Sequence, residues 1–218
     1  MPTLHKTHEE DTLVNMIRSL IALCCIVVLA GCAVKSGRTT SIGAEKLKKA
    51  SQLFSSKDEP VEAEEMIRDV IALYEQDKNQ IGLAEAYRQY GLFYRSNAVN
   101  KFAKYYKEKG FLDKTVKFAG RYEKSVEYFK KSMEIYTDYG NIEIMSNLYV
   151  SLGKTYDLMD KKDKACEAFN KGLENFATFK KGNPEAKELR SEELANYESY
   201  IDVIKKQVGC VEGAAKAQ

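Results

Sequence analysis

The sequence predicts an all-α fold, a short solenoid of helical hairpins closed by a C-terminal capping helix. Three observations carry this. After residue 44 proline is almost absent, occurring only at Pro60 and Pro184. Apolar residues recur there at three- and four-residue spacing, as on helices with one buried face, and no segment alternates with period two. The helical pattern also repeats. A shift of 62 places Gly91 on Gly153, Tyr87 on Tyr149, Tyr94 on Tyr156 and Tyr74 on Tyr136.

The chain begins with a different kind of segment. Leu20 to Leu29 is an apolar run of ten residues, too short to cross a bilayer as a helix and of signal-peptide length. It ends in Leu29-Ala30-Gly31-Cys32. These four residues resemble the lipobox of bacterial lipoproteins. The resemblance implies a signal peptide over 1–31, cleavage before Cys32, and acylation of that thiol with palmitate-type chains. Two or more acyl chains anchor a protein stably where one does not. Ala33 follows the cysteine instead of an inner-membrane-retaining aspartate, which implies the periplasmic face of the outer membrane in a Gram-negative cell. Glu9, Glu10 and Asp11 are out of place in a cationic signal start, whereas Met16-Ile17-Arg18-Ser19 fits one, so Met16 is the expected true start.

Cleavage would change the composition. Removing Lys6, Arg18, Glu9, Glu10 and Asp11 leaves 32 basic and 29 acidic residues, a net charge of +3. Such near balance argues against nucleic-acid binding. Both histidines, His5 and His8, would be lost, so a mature chain could run neither Ser-His nor Cys-His chemistry, nor build histidine metal sites. No glycine-rich phosphate loop, zinc-ligand spacing or nucleophile elbow is present. No cofactor and no metal are expected. Residues 32–43, rich in Ser, Thr and Gly, read as a flexible tether.

The repeats fill 44–178. In the third, Tyr149, Leu152, Gly153 and Tyr156 mark one helix and Ala165, Phe169 and Gly172 the next. The middle unit has Tyr87, Tyr90, Gly91 and Tyr94, then Ser125, Phe129 and Ser132; the first has Leu47, Ala50, Ser51 and Phe54, then Ala63, Ile67 and Val70. Small residues sit where two helices cross, and aromatics fill the space beside them. The pattern resembles the tetratricopeptide repeat in its form of about 40 residues. That resemblance implies a scaffold that binds a protein or peptide partner, not an enzyme. Second helices of the last two units are 40 residues apart, against 62 for the first helices, so the middle unit carries 22 extra residues, at about 96–119.

The insertion is basic and aromatic. From Arg95 to Arg121 there are eight Lys or Arg residues against Glu108 and Asp113. Phe102, Tyr105 and Tyr106 are expected on one helical face, flanked by Lys101, Lys104 and Lys107. Such a surface either meets anionic headgroups or an acidic partner, or merely pins an extra helix to the solenoid. By position in the repeat, Arg88, Arg95, Asn147 and Lys154 would line the concave groove, where Arg and Lys can hold a carboxylate. The Lys, Asn and Arg set by which such repeats clamp chaperone tails is missing here.

A solenoid must cover its last apolar face. Asn183-Pro184-Glu185 resembles a helix start, and Ala186, Leu189, Leu194, Tyr197, Ile201, Ile204 and Val208 form one stripe, so 184–207 is expected to be the capping helix. The small, polar residues 208–218 are expected to be disordered. Cys166 falls in an apolar slot, where a buried inert thiol is the default; a disulfide to Cys210 would instead staple the cap to the last repeat. The expected function is a lipid-anchored interaction scaffold or assembly factor of the cell envelope, membrane-bound through its lipid. The rival is an envelope enzyme or ligand-binding protein that uses the insertion as a lid.

Overall fold

A computed structural model describes residues 39–184 and 197–210. The signal segment, Cys32, 185–196 and 211–218 lie outside the described residues. The chain divides into two compact units, Met1–Ile42 and Gly43–Gln218. Every contact described below lies within the second.

Among the described residues there are nine α-helices and no strand. The first, α1, runs over 39–52 and passes into a π-turn at Leu53–Lys57. Then come α2 (Pro60–Gln76), α3 (Gln80–Tyr94), the short α4 (Asn97–Lys101) and α5 (Ala103–Glu108), and a 3₁₀ turn at Phe118–Gly120. α6 (Arg121–Asp138), α7 (Ile142–Leu158), α8 (Lys162–Gly182) and α9 (Tyr197–Val208) complete the order. The helices pair as three antiparallel hairpins, α1 with α2, α3 with α6 and α7 with α8, giving an all-α, tetratricopeptide-like solenoid.

The turns keep the register of the repeat. Asp58 and Asp160, 102 positions apart, both close the first helix of a hairpin in the left-handed conformation, at φ 56°. Lys78 and Gly140, 62 apart, do the same between hairpins at φ 53° and 68°. Gly140 takes that conformation freely, and aspartate tolerates it better than most residues. The middle hairpin lacks such a turn because the insertion stands in its place.

Two glycines set how closely the hairpins pack. A Cβ at Gly91 would lie 2.7 Å from Cε1 of Phe129, and one at Gly153 would lie 2.6 Å from Cδ1 of Phe169. Carbon atoms do not approach so closely. Each phenylalanine of the second helix therefore packs directly against the glycine of the first, and both rings are wholly buried.

Beside each ring contact a serine crosses the interface. Ser132 Oγ donates to the Ala84 carbonyl at 2.7 Å, while Ser146 Oγ donates to the Gly172 carbonyl at 3.0 Å. Ala84 and Ser146 are equivalent positions, as are Ser132 and Gly172. The hydroxyl has changed sides between the two hairpins.

Several expected boundaries move. The helix begins at residue 39, so the tether expected over 32–43 is too long: Gly43 lies inside α1, buried where the Tyr74 hydroxyl packs in the space of a Cβ. α8 runs past 178 to Gly182, and Asn183 is its C-terminal cap, with Nδ2 donating to the Phe179 carbonyl at 3.1 Å; the first turns of the helix expected from 184 lie outside the described residues. Of the capping helix expected over 184–207, the described part is α9, which ends at Val208. Tyr197, Ile201 and Ile204 of α9 pack on Val150, Ala165 and Phe169. The tail expected to be disordered from 208 is held as far as Cys210. Gly209 and Cys210 donate backbone N–H bonds to Lys206 and Lys205, and Cys210 forms a disulfide with Cys166, Cα atoms 5.6 Å apart.

Gly153→Leu should drive α7 from α8, because no rotamer of Phe169 vacates a wholly buried site. A stability loss of about 1–3 kcal/mol or more is expected from overpacking, although leucine is the better helix former. Thermal or denaturant unfolding checks it, and unchanged stability would mean that the repeat register is wrong.

Candidate functional site

The four expected groove residues have different fates. Arg88 is neutralised within its own helix, with Nε 2.8 Å and Nη2 2.6 Å from the carboxylate of Glu85. Lys154 donates to the Tyr200 hydroxyl at 2.6 Å, so α9 covers it. Val150, one turn before it, is buried under the same helix. The cap thus closes the groove at the third hairpin. Asn147 is half-buried and makes no hydrogen bond among the described residues.

Arg95 is the exception. It is half-buried at the end of α3, and its Nε is buried with no hydrogen-bond partner. Among the described residues it has no ion pair. Burial pushes its guanidinium below the ordinary arginine pKa, and the nearby Tyr200 opposes that shift. It lines an open cleft of about 520 Å³ with Ser51, Phe54, Leu92 and Asn97. Asp58 and Lys101 edge the same cleft but neutralise each other at 2.5 Å. A cation so placed favours an anion that brings its own hydrogen-bond acceptors, above all a carboxylate.

The insertion is built inward as well as outward. Tyr106 and Phe111 are buried and stack on each other with ring centres 4.4 Å apart. They continue an aromatic core that contains Tyr90, Phe93, Tyr94 and Tyr128. The three aromatics expected on one face therefore separate. Tyr106 enters the core, while Phe102 and Tyr105 remain 37% and 39% exposed. Tyr105 and Tyr106 are neighbours on α5, about 100° apart round the helix, so one turns to the core while the other stays in solvent beside Phe102. Lys101, expected on the insertion surface, is held by Asp58.

One buried carboxylate fastens the insertion. Glu64 of α2 is 2% exposed. Its Oε1 accepts from the Tyr90 hydroxyl at 2.9 Å and from the Leu112 backbone N–H at 2.7 Å. Burial raises its pKa to about 7, against the pull of those two bonds and of Lys114 and Arg68. Sequence reasoning missed it. The available signal was an acid set in the apolar stripe Pro60, Ala63, Ile67, Val70, Ile71 and Tyr74. Also missed were Tyr200 at the groove and Lys109, Lys114 and Lys117, which line a second open cleft of about 550 Å³ with Lys107 and Phe118.

Residues 146–177 match the family model of the tetratricopeptide repeat. The match covers most of α7 and α8, the hairpin whose glycine, aromatic and small-residue slots are most completely filled. No curated protein and no solved structure matches the chain. Repeats of this family generally serve as non-enzymatic scaffolds for protein partners. Among the described residues no helix is long and apolar enough to cross a membrane, and no three His, Cys, Asp or Glu side chains converge as metal ligands would.

The Glu64 linkage fixes a pH dependence. The folded pKa of about 7 lies above the ordinary 4.5, so the folded state holds this proton more tightly than the unfolded state. That stabilisation is complete below pH 4.5 and is lost as the pH rises through 7, roughly 3 kcal/mol in all. Unfolding free energy should therefore decline between pH 5 and pH 8. Glu64→Gln, which keeps an acceptor for Leu112, should flatten that decline; an equal slope in both proteins would rule Glu64 out as its source.

Proposed function

We propose that this protein is a lipid-tethered, non-enzymatic scaffold of the bacterial cell envelope that binds an acidic segment of a protein partner in its groove. The observation that carries the reading is Arg95, a half-buried guanidinium without a counter-ion, lining an open cleft between the first helices of two hairpins. The groove is shortened by α9, so the occupant is a short segment. The lipobox resemblance of Leu29-Ala30-Gly31-Cys32 supports a tether at Cys32 after removal of 1–31. The Cys166–Cys210 disulfide suits an oxidising compartment outside the cytoplasm. The near-balanced charge of the mature chain speaks against nucleic acid. An enzyme with the insertion as its lid finds less support, because Tyr106, Phe111 and the Glu64–Leu112 bond root that segment in the core.

Two measurements test the reading. A fatty-acid probe should label the wild type in cells and leave Cys32→Ala unlabelled; labelling of the variant would remove the tether. A photo-crosslinker at Asn97, which lines the Arg95 cleft, should capture a partner in the envelope. Arg95→Ala should weaken that association by about 1.5–3 kcal/mol, the worth of a hydrogen bond to a charged group. Folding stability should not fall, since a poorly solvated and unpaired cation is removed. Capture that is indifferent to Arg95 would overturn the groove assignment.

A further inference from the structure

The insertion presents more to solvent than its packing requires. Phe102 and Tyr105, one helical turn apart, are exposed, and Leu112 is 43% exposed. Lys104, Lys107, Lys109, Lys114 and Lys117 have no ion pair among the described residues. Some lysines elsewhere are paired, such as Lys46 with Asp69 and Lys171 with Glu167, but what sets the insertion apart is that its unpaired lysines stand beside exposed rings. Lys107 also stands over the Phe118 ring at 5.4 Å, and the cleft beside it is lined by Lys107, Lys109, Lys114 and Lys117 against the single acid Glu108. Exposed aromatics ringed by unpaired lysines match the interfacial zone of an anionic bilayer, where rings sit at headgroup depth and ammonium groups meet phosphates.

We infer that the insertion docks the domain on the anionic surface of the membrane, with Phe102 and Tyr105 entering the headgroup layer and Lys104, Lys107, Lys109 and Lys114 neutralising lipid phosphates. The inference rests on the tether reading for one element: seven residues from Cys32 to the start of α1 at 39 reach at most about 25 Å, which keeps the domain at the bilayer. The buried half of the insertion, Tyr106 and Phe111 in the aromatic core and Glu64 on the Leu112 N–H, holds the exposed half rigid. Docking therefore orders little that is not ordered already.

The chain contains no tryptophan, so Tyr105→Trp provides a reporter without background. The acylated full-length protein is placed in vesicles of phosphatidylcholine alone, or of phosphatidylcholine with about a third phosphatidylglycerol. In the anionic vesicles the emission at position 105 should shift to the blue and be quenched by brominated lipid; in the neutral ones it should stay water-like. A surface lysine is worth roughly fivefold in binding to an anionic bilayer. Lys104→Gln, Lys107→Gln and Lys109→Gln together should lower the association on the order of 100-fold, and high salt should mimic them. Melting temperature should barely move, since these side chains are exposed and unpaired. A water-like, unquenched reporter in anionic vesicles that retain the protein would overturn the docking and leave the tether standing. Protein that washes off neutral vesicles but stays on anionic ones would remove the tether and leave the docking. A shift equal in both lipids would show burial without charge recognition and would also overturn the proposal.

Discussion

The close contact of a phenylalanine ring with a glycine, Phe129 with Gly91 and Phe169 with Gly153, is the constraint from which this solenoid follows. It fixes the depth to which the second helix of a hairpin sinks against the first. Helices brought that close need small neighbours, which is why Ala84, Ser125, Ala165 and Gly172 flank the rings. They also bring backbone carbonyls within reach of side-chain hydroxyls, so Ser125 and Ser132 can bond to Gly91 and Ala84 across the interface. The polar bonds depend on the apolar one.

The insertion interrupts this regularity without loosening it. A 22-residue excursion from a two-helix unit would ordinarily be a surface loop. Here its backbone N–H at Leu112 is drawn to a carboxylate inside the fold, and two of its rings join the core. Glu64 is half-charged near neutrality, and its proton depends on how well the insertion shields it from water. The same closeness that keeps Glu64 dry keeps the exposed lysines and aromatics in a fixed array, so surface and core properties of the segment are coupled.

Much of the fold was legible in the sequence because repetition multiplies weak signals. Gly91, Gly153 and the aromatics three residues on announce the hairpins, and the left-handed turns at Lys78 and Gly140 fall at the 62-residue spacing that the glycines imply. The ends of the chain were less legible. Asn183 carries a helix-start signature yet closes α8, since an asparagine beside a proline satisfies either role. The site was harder still. Arg88, Arg95 and Lys154 look alike in sequence, and what separates them is their neighbours: Glu85 within the same helix, Tyr200 from a helix 46 residues away, and nothing for Arg95. Pairing over such a distance has no local signature. Which of Tyr105 and Tyr106 turns inward is likewise set by the core that Tyr106 enters.

The exchanged serines carry a last consequence. In the middle hairpin the hydroxyl belongs to the second helix, at Ser132, and in the third to the first helix, at Ser146. Either arrangement puts one hydroxyl at the crossing. If α3 were to mate with α8, Ala84 would face Gly172 and the crossing would have none. If α7 were to mate with α6, Ser146 and Ser132 would bring two hydroxyls to it. Two hairpins alike enough to invite cross-pairing during folding, a characteristic failure of repeat proteins, thus carry opposite keys. Each first helix is matched to the second helix of its own hairpin, and one hydroxyl bond marks each pairing.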